Sequence, residues 1–340
     1  MCSPPRRAPY VRDALPTYAS ASSSSSQPPS GGCDGAFVAA LSKDRFVHAA
    51  LCWHDQLRRV GSTCRILLIV EDRPGASALS PASWAQLERT FGNNSLLRAS
   101  ALIASASFGV RRGRRLLDGG RSAQEASALR YWAWALPLTR VCYMDLDVLI
   151  KQNVDELLRW SLPSNASLAA VRCPGRSYFF NAGVTVIKPS RDFLRRLLLR
   201  NCYYEARHFE NASHARGLRV CRRFTGGVPV RGADVSIVKA CESRAADQSV
   251  INMAVQGDYE GRSGRKQGRM VYLPARFNAG WLTSAARKPD VAIVHFAGKH
   301  KPWDAPPLGR RHEVVGSWKQ ELRDAWVRAC KSSRFRVSAA

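Results

Sequence analysis

The sequence has no long apolar run. None of its 340 residues belongs to a stretch that could span a bilayer, and no signal-peptide core begins the chain. We therefore expect no transmembrane segment, and the compartment stays open between the cytoplasm and the Golgi lumen. Three Asn-x-Ser sequons, at Asn93, Asn165 and Asn211, are weak evidence for a secretory route, because such triplets often arise by chance.

The cysteine spacing contains no metal-binding motif. The ten cysteines include no Cys-x-x-Cys pair and no His/Cys cluster at zinc spacing, which argues against a structural zinc site. Cys52, Cys64 and Cys142 lie in apolar surroundings and are predicted to be small core residues. Four others fall in or near a loop-rich region and could pair with one another: Cys173, Cys202, Cys221 and Cys241.

Acidic residues are scarce. The chain carries 52 Lys and Arg but only 26 Asp and Glu, a formal net charge of +26. Only ten of the basic residues are lysines, so arginine dominates. Such a charge attracts polyanions, which raises three alternatives: a compositional bias, a nucleic-acid surface, or an acidic or phosphate-bearing substrate. The arginines are scattered along the chain, which favours the first over the second and makes nucleic acid an unexpected partner.

Strand and helix patterns alternate after a leader at 1–32, whose Ser and Pro content predicts disorder. Continuous apolar strands separated by amphipathic helices predict an α/β fold with a mixed, mainly parallel sheet flanked by helices. Neither G-x-G-x-x-G nor G-x-x-x-x-G-K-[ST] is present, so the dinucleotide and P-loop fingerprints are absent. Strands are predicted at 35–41, 64–72, 141–144, 167–173, 178–190, 270–277 and 291–298, and helices at 43–61, 80–92, 121–137, 153–160, 192–200, 247–255 and 317–331.

The segment VCYMDLDVLI places two carboxylates, Asp145 and Asp147, at the end of an apolar strand. Residues i and i+2 of an extended segment point the same way, so both carboxylates face one spot. Two negative charges at such a short distance from each other are unfavourable unless a cation lies between them. Carboxylate oxygens suit Mg²⁺ or Mn²⁺. The alternative is a solvated turn after the strand, with Asp147 capping a neighbouring group.

A second polar cluster follows the strand in VAIVHFAGKHKPW. His295 ends this strand, and its imidazole could be the third protein ligand of the metal. A lone histidine there could equally be structural. Gly298 would let the backbone approach an anion, and Lys301 would place a positive charge on a phosphate.

Four segments occur in an order that resembles glycosyltransferase family 8: YMDLDVLIKQNVDELL, YFFNAGVTVIKPS, ADQSVINMAV and HFAGKHKPW. The resemblance covers roughly Gly35 to Asp304. It implies a GT-A type nucleotide-diphospho-sugar transferase fold. It also implies that the enzyme transfers a hexose from a UDP-sugar to an acceptor hydroxyl with retention, using Mn²⁺ or Mg²⁺. The sequence then comprises the leader and one such domain at 33–335, with an insertion at about 191–245.

The resemblance also implies roles for individual residues. Asp145, Asp147 and His295 match the metal ligands. Asp247 and Gln248 match the pair beside the anomeric carbon and are the catalytic candidates. The remaining matches are donor-binding residues: Ser42 near the ribose, Phe46 on the uracil, Arg130 facing the donor, the sugar-contacting turn Asn181, Ala182 and Gly183, and the diphosphate clamp Gly298 and Lys301.

Several positions depart from the family pattern. Phe46 replaces the usual Tyr and keeps only its stacking face, and Arg130 replaces a common Lys with a group that can bind bidentately. No tyrosine lies between Leu273 and His295, so a separate acceptor is favoured over self-glucosylation. The patterns indicate neither that acceptor nor an oligomeric state. Two other functions remain as alternatives: a basic nucleic-acid-binding protein on a degenerate transferase fold, and a nucleotidyltransferase.

Overall fold

A seven-stranded sheet lies at the centre of the protein in a computed structural model. The structure describes residues 33–72, 79–105, 129–173, 180–195, 197–198, 246–256, 270–280, 282–298, 301–303 and 317–331. The predicted leader at 1–32 and most of the predicted insertion at 191–245 lie outside these residues, so both stay predictions.

Ten strands form two sheets within the described residues. The seven-stranded sheet has the order β3-β2-β1-β4-β7-β6-β8, and a three-stranded sheet has the order β5-β10-β9. Four of the six pairings in the large sheet are parallel, and β7 is antiparallel to both of its neighbours. The mixed, mainly parallel sheet is therefore confirmed. The strands are β1 (Gly35–Leu41), β2 (Arg65–Val70), β3 (Leu96–Arg98), β4 (Arg140–Met144), β5 (Val148–Ile150), β6 (Leu168–Arg172), β7 (Phe180–Ile187), β8 (Met270–Leu273), β9 (Ala279–Gly280) and β10 (Ile293–His295).

Helices cover both faces of the large sheet. Successive residues of β1 show this, because Phe37 and Ala39 pack into one apolar cluster while Ala36 and Val38 pack into another. A strand that is buried on both sides needs apolar residues at every position, which explains its unbroken apolar sequence. The helices are α1 (Val47–Arg59), α2 (Pro81–Phe91), α3 (Ala99–Ser105), α4 (Glu156–Arg159), α5 (Ala246–Gln256) and α6 (Ser317–Lys331).

The helix predicted at 121–137 differs in the structure. Its described part is a 3₁₀ helix, Leu129–Ala135, in which four consecutive residues from Tyr131 to Trp134 are all buried. Side chains that leave the axis in every direction cannot share one face of an amphipathic α-helix, so the segment passes through the core. The helix predicted at 153–160 is also shorter. The Asn153 side chain accepts from the Asp155 N–H at 2.9 Å, and α4 begins at Glu156.

Cys52 and Cys64 lie in the core as predicted, and each also forms a disulfide that the cysteine spacing did not indicate. Both are buried, but neither is a thiol: Cys64 is bonded to Cys33 and Cys52 to Cys330, with Cα–Cα distances of 5.3 and 4.8 Å. The second bond joins α1 to α6. Cys142 is a buried thiol as predicted, and burial raises its pKa. Of the cysteines predicted to pair in loops, only Cys173 is described.

Two of the three sequons are described and are accessible. Asn93 and Asn165 are both exposed, whereas Asn211 lies outside the described residues. Among the helices that the structure describes, none combines the length and the apolar character needed to cross a bilayer.

Candidate active site

The sheet topology brings distant polar residues together at the end of β4. Asp145 and Asp147 occupy the bend between β4 and β5, and β10 pairs antiparallel with β5 so that His295 lies opposite Val148. Two backbone hydrogen bonds hold the bend in place. The Asp145 N–H donates to the Gly183 carbonyl at 2.7 Å, and the Phe296 N–H donates to the Asp147 carbonyl at 2.9 Å. The chain therefore crosses between the two sheets at the paired carboxylates.

Both carboxylates approach the same imidazole nitrogen. His295 Nε2 lies 3.6 Å from Asp145 Oδ2 and 3.3 Å from Asp147 Oδ1. The side chains of His295 and Asp147 are only 5% and 7% exposed, while that of Asp145 is 22% exposed. Of the three side chains, Asp145 is therefore the one through which solvent reaches the cluster.

Each carboxylate also contacts a cation through its second oxygen. Arg130 Nη2 lies 2.7 Å from Asp145 Oδ1, and Lys301 Nζ lies 2.5 Å from Asp147 Oδ2. Arg130 is oriented further by the Tyr143 ring, whose centroid is 5.0 Å from the guanidinium carbon, and by a 3.3 Å bond to the Ala182 carbonyl. Two positive groups therefore flank the carboxylates without using the oxygens that face His295.

Electrostatics in this cluster oppose the effect of burial. Burial alone would raise the pKa of the Asp147 carboxyl, but the adjacent His295 and Lys301 hold that pKa well below its ordinary value. Burial would lower the pKa of His295, yet the negative charges of Asp147 and Asp145 outweigh burial and raise it. The site accordingly keeps Asp147 ionised and favours positive charge beside it.

The three ligand atoms fit a divalent cation. Adjacent ligands of an octahedral ion with bonds of about 2.1 Å are about 3 Å apart. This is close to the 3.3 and 3.6 Å that separate His295 Nε2 from the two carboxylate oxygens. Asp145, Asp147 and His295 each offer a ligand atom within 4.8 Å of the others. Gly183 makes room for the imidazole, because a Cβ there would come within 2.8 Å of three ring atoms of His295.

A second cluster with metal-like spacing does not fit. It comprises Cys33, Cys64 and Asp155, but the two sulfurs form a disulfide. The Asp155 carboxylate instead accepts hydrogen bonds from the Ser62 hydroxyl at 2.6 Å and the Thr63 N–H at 3.4 Å. This carboxylate anchors the turn after α1.

The predicted base-binding residues lie at the end of β1. Ser42 is buried immediately after the strand, and Phe46 is half-buried in the short 3₁₀ turn Asp44–Phe46. One face of the Phe46 ring carries the Arg45 guanidinium, 4.6 Å from the ring centroid. The Trp303 ring meets Phe46 edge-on at 5.9 Å. A base that stacks on the face covered by Arg45 would have to displace that side chain.

The predicted sugar-binding turn belongs to β7 and is fixed by two side-chain amides. Asn181 Oδ1 accepts from the Gly183 N–H at 2.8 Å, and Gln248 Oε1 accepts from the Ala182 N–H at 3.0 Å. Gln248 therefore lies beside the turn, while its predicted place beside the anomeric carbon stays a prediction. Of Asp247 the structure describes only the backbone, within α5.

The predicted diphosphate clamp follows β10. Gly298 has φ of 114°, a left-handed conformation that residues with a Cβ rarely adopt. It lies in a bend three residues after His295 and precedes Lys301, whose ammonium group contacts Asp147. A glycine at this position is therefore a requirement of the backbone, whatever ligand it meets.

One residue of the site was missed in the sequence. Asn278 follows the 3₁₀ turn Ala275–Phe277, is 7% exposed, and places Oδ1 3.0 Å from His295 Nδ1. It precedes β9, a strand of two residues. Neither periodicity nor a motif marks such a position, so no signal in the single sequence could have identified it.

Comparisons with known proteins agree with this architecture. No protein-family model matches the sequence. The glycosyltransferase GlyE of Streptococcus pneumoniae serotype 4 is 23% identical over 190 residues, which are 54% of this chain and 38% of GlyE. The chain thus spans well under half of that relative's length.

Solved glycosyltransferases share the fold. The bifunctional glycosyltransferase WbbM matches with a TM-score of 0.51 and 14% identity, over 89% of this chain and 50% of WbbM. The galactosyltransferase LgtC, solved with donor and acceptor sugar analogues, matches with a TM-score of 0.49 and 15% identity, over 87% of this chain and 95% of LgtC. The sheet topology and the WbbM match agree with the GT-A type fold that the motifs imply, and the chain resembles the glycosyltransferases of family 8.

Proposed function

We propose that the protein is a retaining glycosyltransferase that transfers a hexose from a UDP-sugar to an acceptor hydroxyl with the help of Mn²⁺ or Mg²⁺. The observation that carries this proposal is the convergence of Asp145, Asp147 and His295 on one point, flanked by Arg130 and Lys301. These five residues come from three segments of the chain, which hold Arg130, the Asp145 and Asp147 pair, and the His295 and Lys301 pair. A purely structural role would not require three groups with metal-ligand chemistry to meet beside two cations.

The metal would be held by Asp145 Oδ2, Asp147 Oδ1 and His295 Nε2. A divalent cation bound there would supply Lewis-acid neutralisation of the diphosphate. The second oxygen of each carboxylate would keep its contact with Arg130 or Lys301. The two functions of each carboxylate, binding the cation and orienting a basic side chain, are therefore compatible.

Arg130 and Lys301 would stabilise the departing UDP. Negative charge grows on the β-phosphate as the glycosidic bond breaks, so positive groups already oriented there favour the transition state over the ground state. Removal of one such preorganised donor typically raises a barrier by about 3–4 kcal/mol. Arg130 is 12% exposed and Lys301 is 30% exposed, so both act in surroundings that water only partly screens.

The remaining residues would position the sugar and the base. Gln248 is oriented by its bond to the Ala182 N–H, and we assign Gln248 and Asp247 to the side of the anomeric carbon, where positive charge develops. The turn Asn181, Ala182 and Gly183 would contact the hexose. Ser42 and Phe46 would take the ribose and uracil, with Arg45 leaving the Phe46 face when the base stacks there.

Release of UDP tests the proposal. UDP-glucose, UDP-galactose and UDP-glucuronate would each be incubated with the purified protein and Mn²⁺, and free UDP would be measured with and without a chelator. We expect metal-dependent release from at least one donor. Asp145→Asn keeps the side-chain size but removes a charged ligand, so it should lower the rate by about 10²–10³-fold.

The matched control is Asp290→Asn, which removes the same charge from an exposed residue before β10 and should leave the rate unchanged. If no UDP-sugar is hydrolysed or bound with Mn²⁺, the enzyme proposal is wrong. Steep salt-dependent binding to nucleic acid in its place would then support the nucleic-acid alternative that the net charge of +26 raises.

A further inference from the structure

Three hydrogen bonds form a relay from the β7 backbone to His295. The Gly183 N–H donates to Asn181 Oδ1 at 2.8 Å, Asn278 Nδ2 donates to the same oxygen at 2.9 Å, and Asn278 Oδ1 lies 3.0 Å from His295 Nδ1. Asn278 and His295 are 7% and 4% exposed. The relay therefore ends on the ring nitrogen that faces away from the carboxylates.

The relay has a single direction. A backbone N–H can only donate, so the atom of Asn181 next to Gly183 must be the carbonyl oxygen. That oxygen then requires a donor from Asn278, which orients the Asn278 amide with Nδ2 towards Asn181. The Asn278 carbonyl is left facing His295. A flipped Asn278 would bring two carbonyl oxygens to 2.9 Å, where they repel each other, and would lose the hydrogen bond between Asn278 and Asn181.

We propose that Asn278 is a positioning residue for the metal ligand His295. By accepting a hydrogen bond from Nδ1–H, it selects the tautomer whose Nε2 lone pair points at Asp145 and Asp147. It also stops rotation of the ring about its Cβ–Cγ bond. This inference rests on the proposed function, because it requires His295 to bind the divalent cation.

The geometry around the ring supports this role. A metal-bound histidine commonly donates its second ring N–H to an oxygen that fixes tautomer and orientation. Gly183 fills one side of the imidazole so closely that a Cβ there would overlap the ring, while Asn278 holds Nδ1 from another direction. Gly183 is also the donor that begins the relay. One backbone residue thus sets both the space for the ring and the direction of its hydrogen bond.

Metal affinity distinguishes a positioning role from simple packing. Mn²⁺ alone would be titrated calorimetrically into metal-free protein, without any sugar nucleotide. Asn278→Leu keeps the branched shape and the number of side-chain heavy atoms but removes both hydrogen bonds, and we expect it to weaken Mn²⁺ binding about 10–100-fold. Asn278→Asp keeps an acceptor for Nδ1–H but loses the donor to Asn181, so we expect its Mn²⁺ affinity to lie between those of Asn278→Leu and wild type.

The matched control is Gln152→Met, which removes an exposed amide that donates to the Pro289 carbonyl at 3.0 Å and should leave Mn²⁺ affinity unchanged. If wild-type protein binds Mn²⁺ and Asn278→Leu binds it equally well, the relay proposal is wrong while the proposed function stands. If wild-type protein binds no Mn²⁺, the proposed metal site fails and the relay fails with it.

A second measurement needs no variant and so does not depend on the folding of Asn278→Leu. Long-range ¹H–¹⁵N NMR spectra of the wild-type protein saturated with Zn²⁺, a diamagnetic probe, report which histidine nitrogens carry hydrogen. We expect His295 to carry its hydrogen on Nδ1 and to bind Zn²⁺ through Nε2. A hydrogen on Nε2 in the loaded protein would overturn the proposal.

Discussion

Gly183 and His295 share a space that only one side chain can occupy. The ring of His295 lies where a Cβ of residue 183 would be, so the absence of a side chain on β7 is as necessary to the cluster as the imidazole itself. Asn181 and Asn278 then fix the ring from its other nitrogen. At the scale of single residues, the site depends on complementary shape as well as charge.

Gly183→Ala tests this dependence. The added methyl group would force the imidazole away from Asp145 and Asp147, and we expect Mn²⁺ affinity to fall by at least about tenfold. Gly280→Ala is the matched control because Gly280 pairs with His295 on β9, yet a Cβ there meets its nearest neighbour at an ordinary 3.6 Å. Calorimetric titration of both variants is the measurement. Equal affinities would show that the ring can move without loss.

The candidate site was only partly predictable from single residues. Asp145 and Asp147 could be placed together because they follow an apolar strand at a spacing of two. His295 is 148 positions beyond Asp147, and only its resemblance to a family motif connected the two. Asn278 was not predictable at all, because its role arises from the pairing of β5, β9 and β10, which no local pattern specifies.

At the scale of elements, prediction succeeded where a long repeating pattern existed. The helices α5 and α6 and the strand β1 were predicted within about one residue of their observed bounds, because each carries a continuous apolar or amphipathic pattern. The strands β3, β5 and β9 have three, three and two residues. A period-2 signal cannot be read from so few positions, yet β5 and β9 build the sheet that carries His295.

The helix α5 is joined to β7 by one buried asparagine. Asn252 is fully buried; its Oδ1 accepts from the Phe180 N–H and its Nδ2 donates to the Phe180 carbonyl, both at 3.1 Å. Phe180 begins β7, and α5 carries Gln248. The amide thus bonds both backbone polar groups of Phe180 and joins α5 to the strand that carries the turn Asn181, Ala182 and Gly183.

Asn252→Ala tests this junction. Unpaired buried polar groups are unfavourable by about 1–3 kcal/mol each, and two would lose their partner. We expect the free energy of unfolding in urea to fall by about 2–6 kcal/mol. Gln320→Ala is the control, since that exposed amide bonds across a helical turn to Asp324 at 2.9 Å, a contact worth about 0.2–0.5 kcal/mol. Similar losses in the two variants would contradict the role given to Asn252.

At the scale of the whole molecule, α6, which is the last described segment, packs next to the candidate site. The indole Nε1 of Trp326 donates to the Val148 carbonyl at 3.0 Å, one residue beyond Asp147. The Cys52–Cys330 bond fixes the same helix to α1. Disulfides persist in oxidising compartments, so these bonds favour a chain that folds outside the reducing cytoplasm, where the exposed Asn93 and Asn165 would also be accessible.

The two disulfides should differ in their effect on stability. Cys52 and Cys330 are 278 positions apart, whereas Cys33 and Cys64 are 31 apart. In the chain-entropy description, the larger loop loses more freedom in the unfolded state, by about 2 kcal/mol relative to the smaller one. We therefore expect the Cys52→Ala, Cys330→Ala double variant to unfold at a lower urea concentration than the Cys33→Ala, Cys64→Ala variant.

Cys142→Ala, which changes a buried thiol outside both bonds, serves as the control for loss of a sulfur atom. A non-reducing peptide map of the wild-type protein must show the Cys52–Cys330 cross-link. If the cross-link is absent, or if the two unfolding midpoints have the reverse order, α6 is not held to α1 as described.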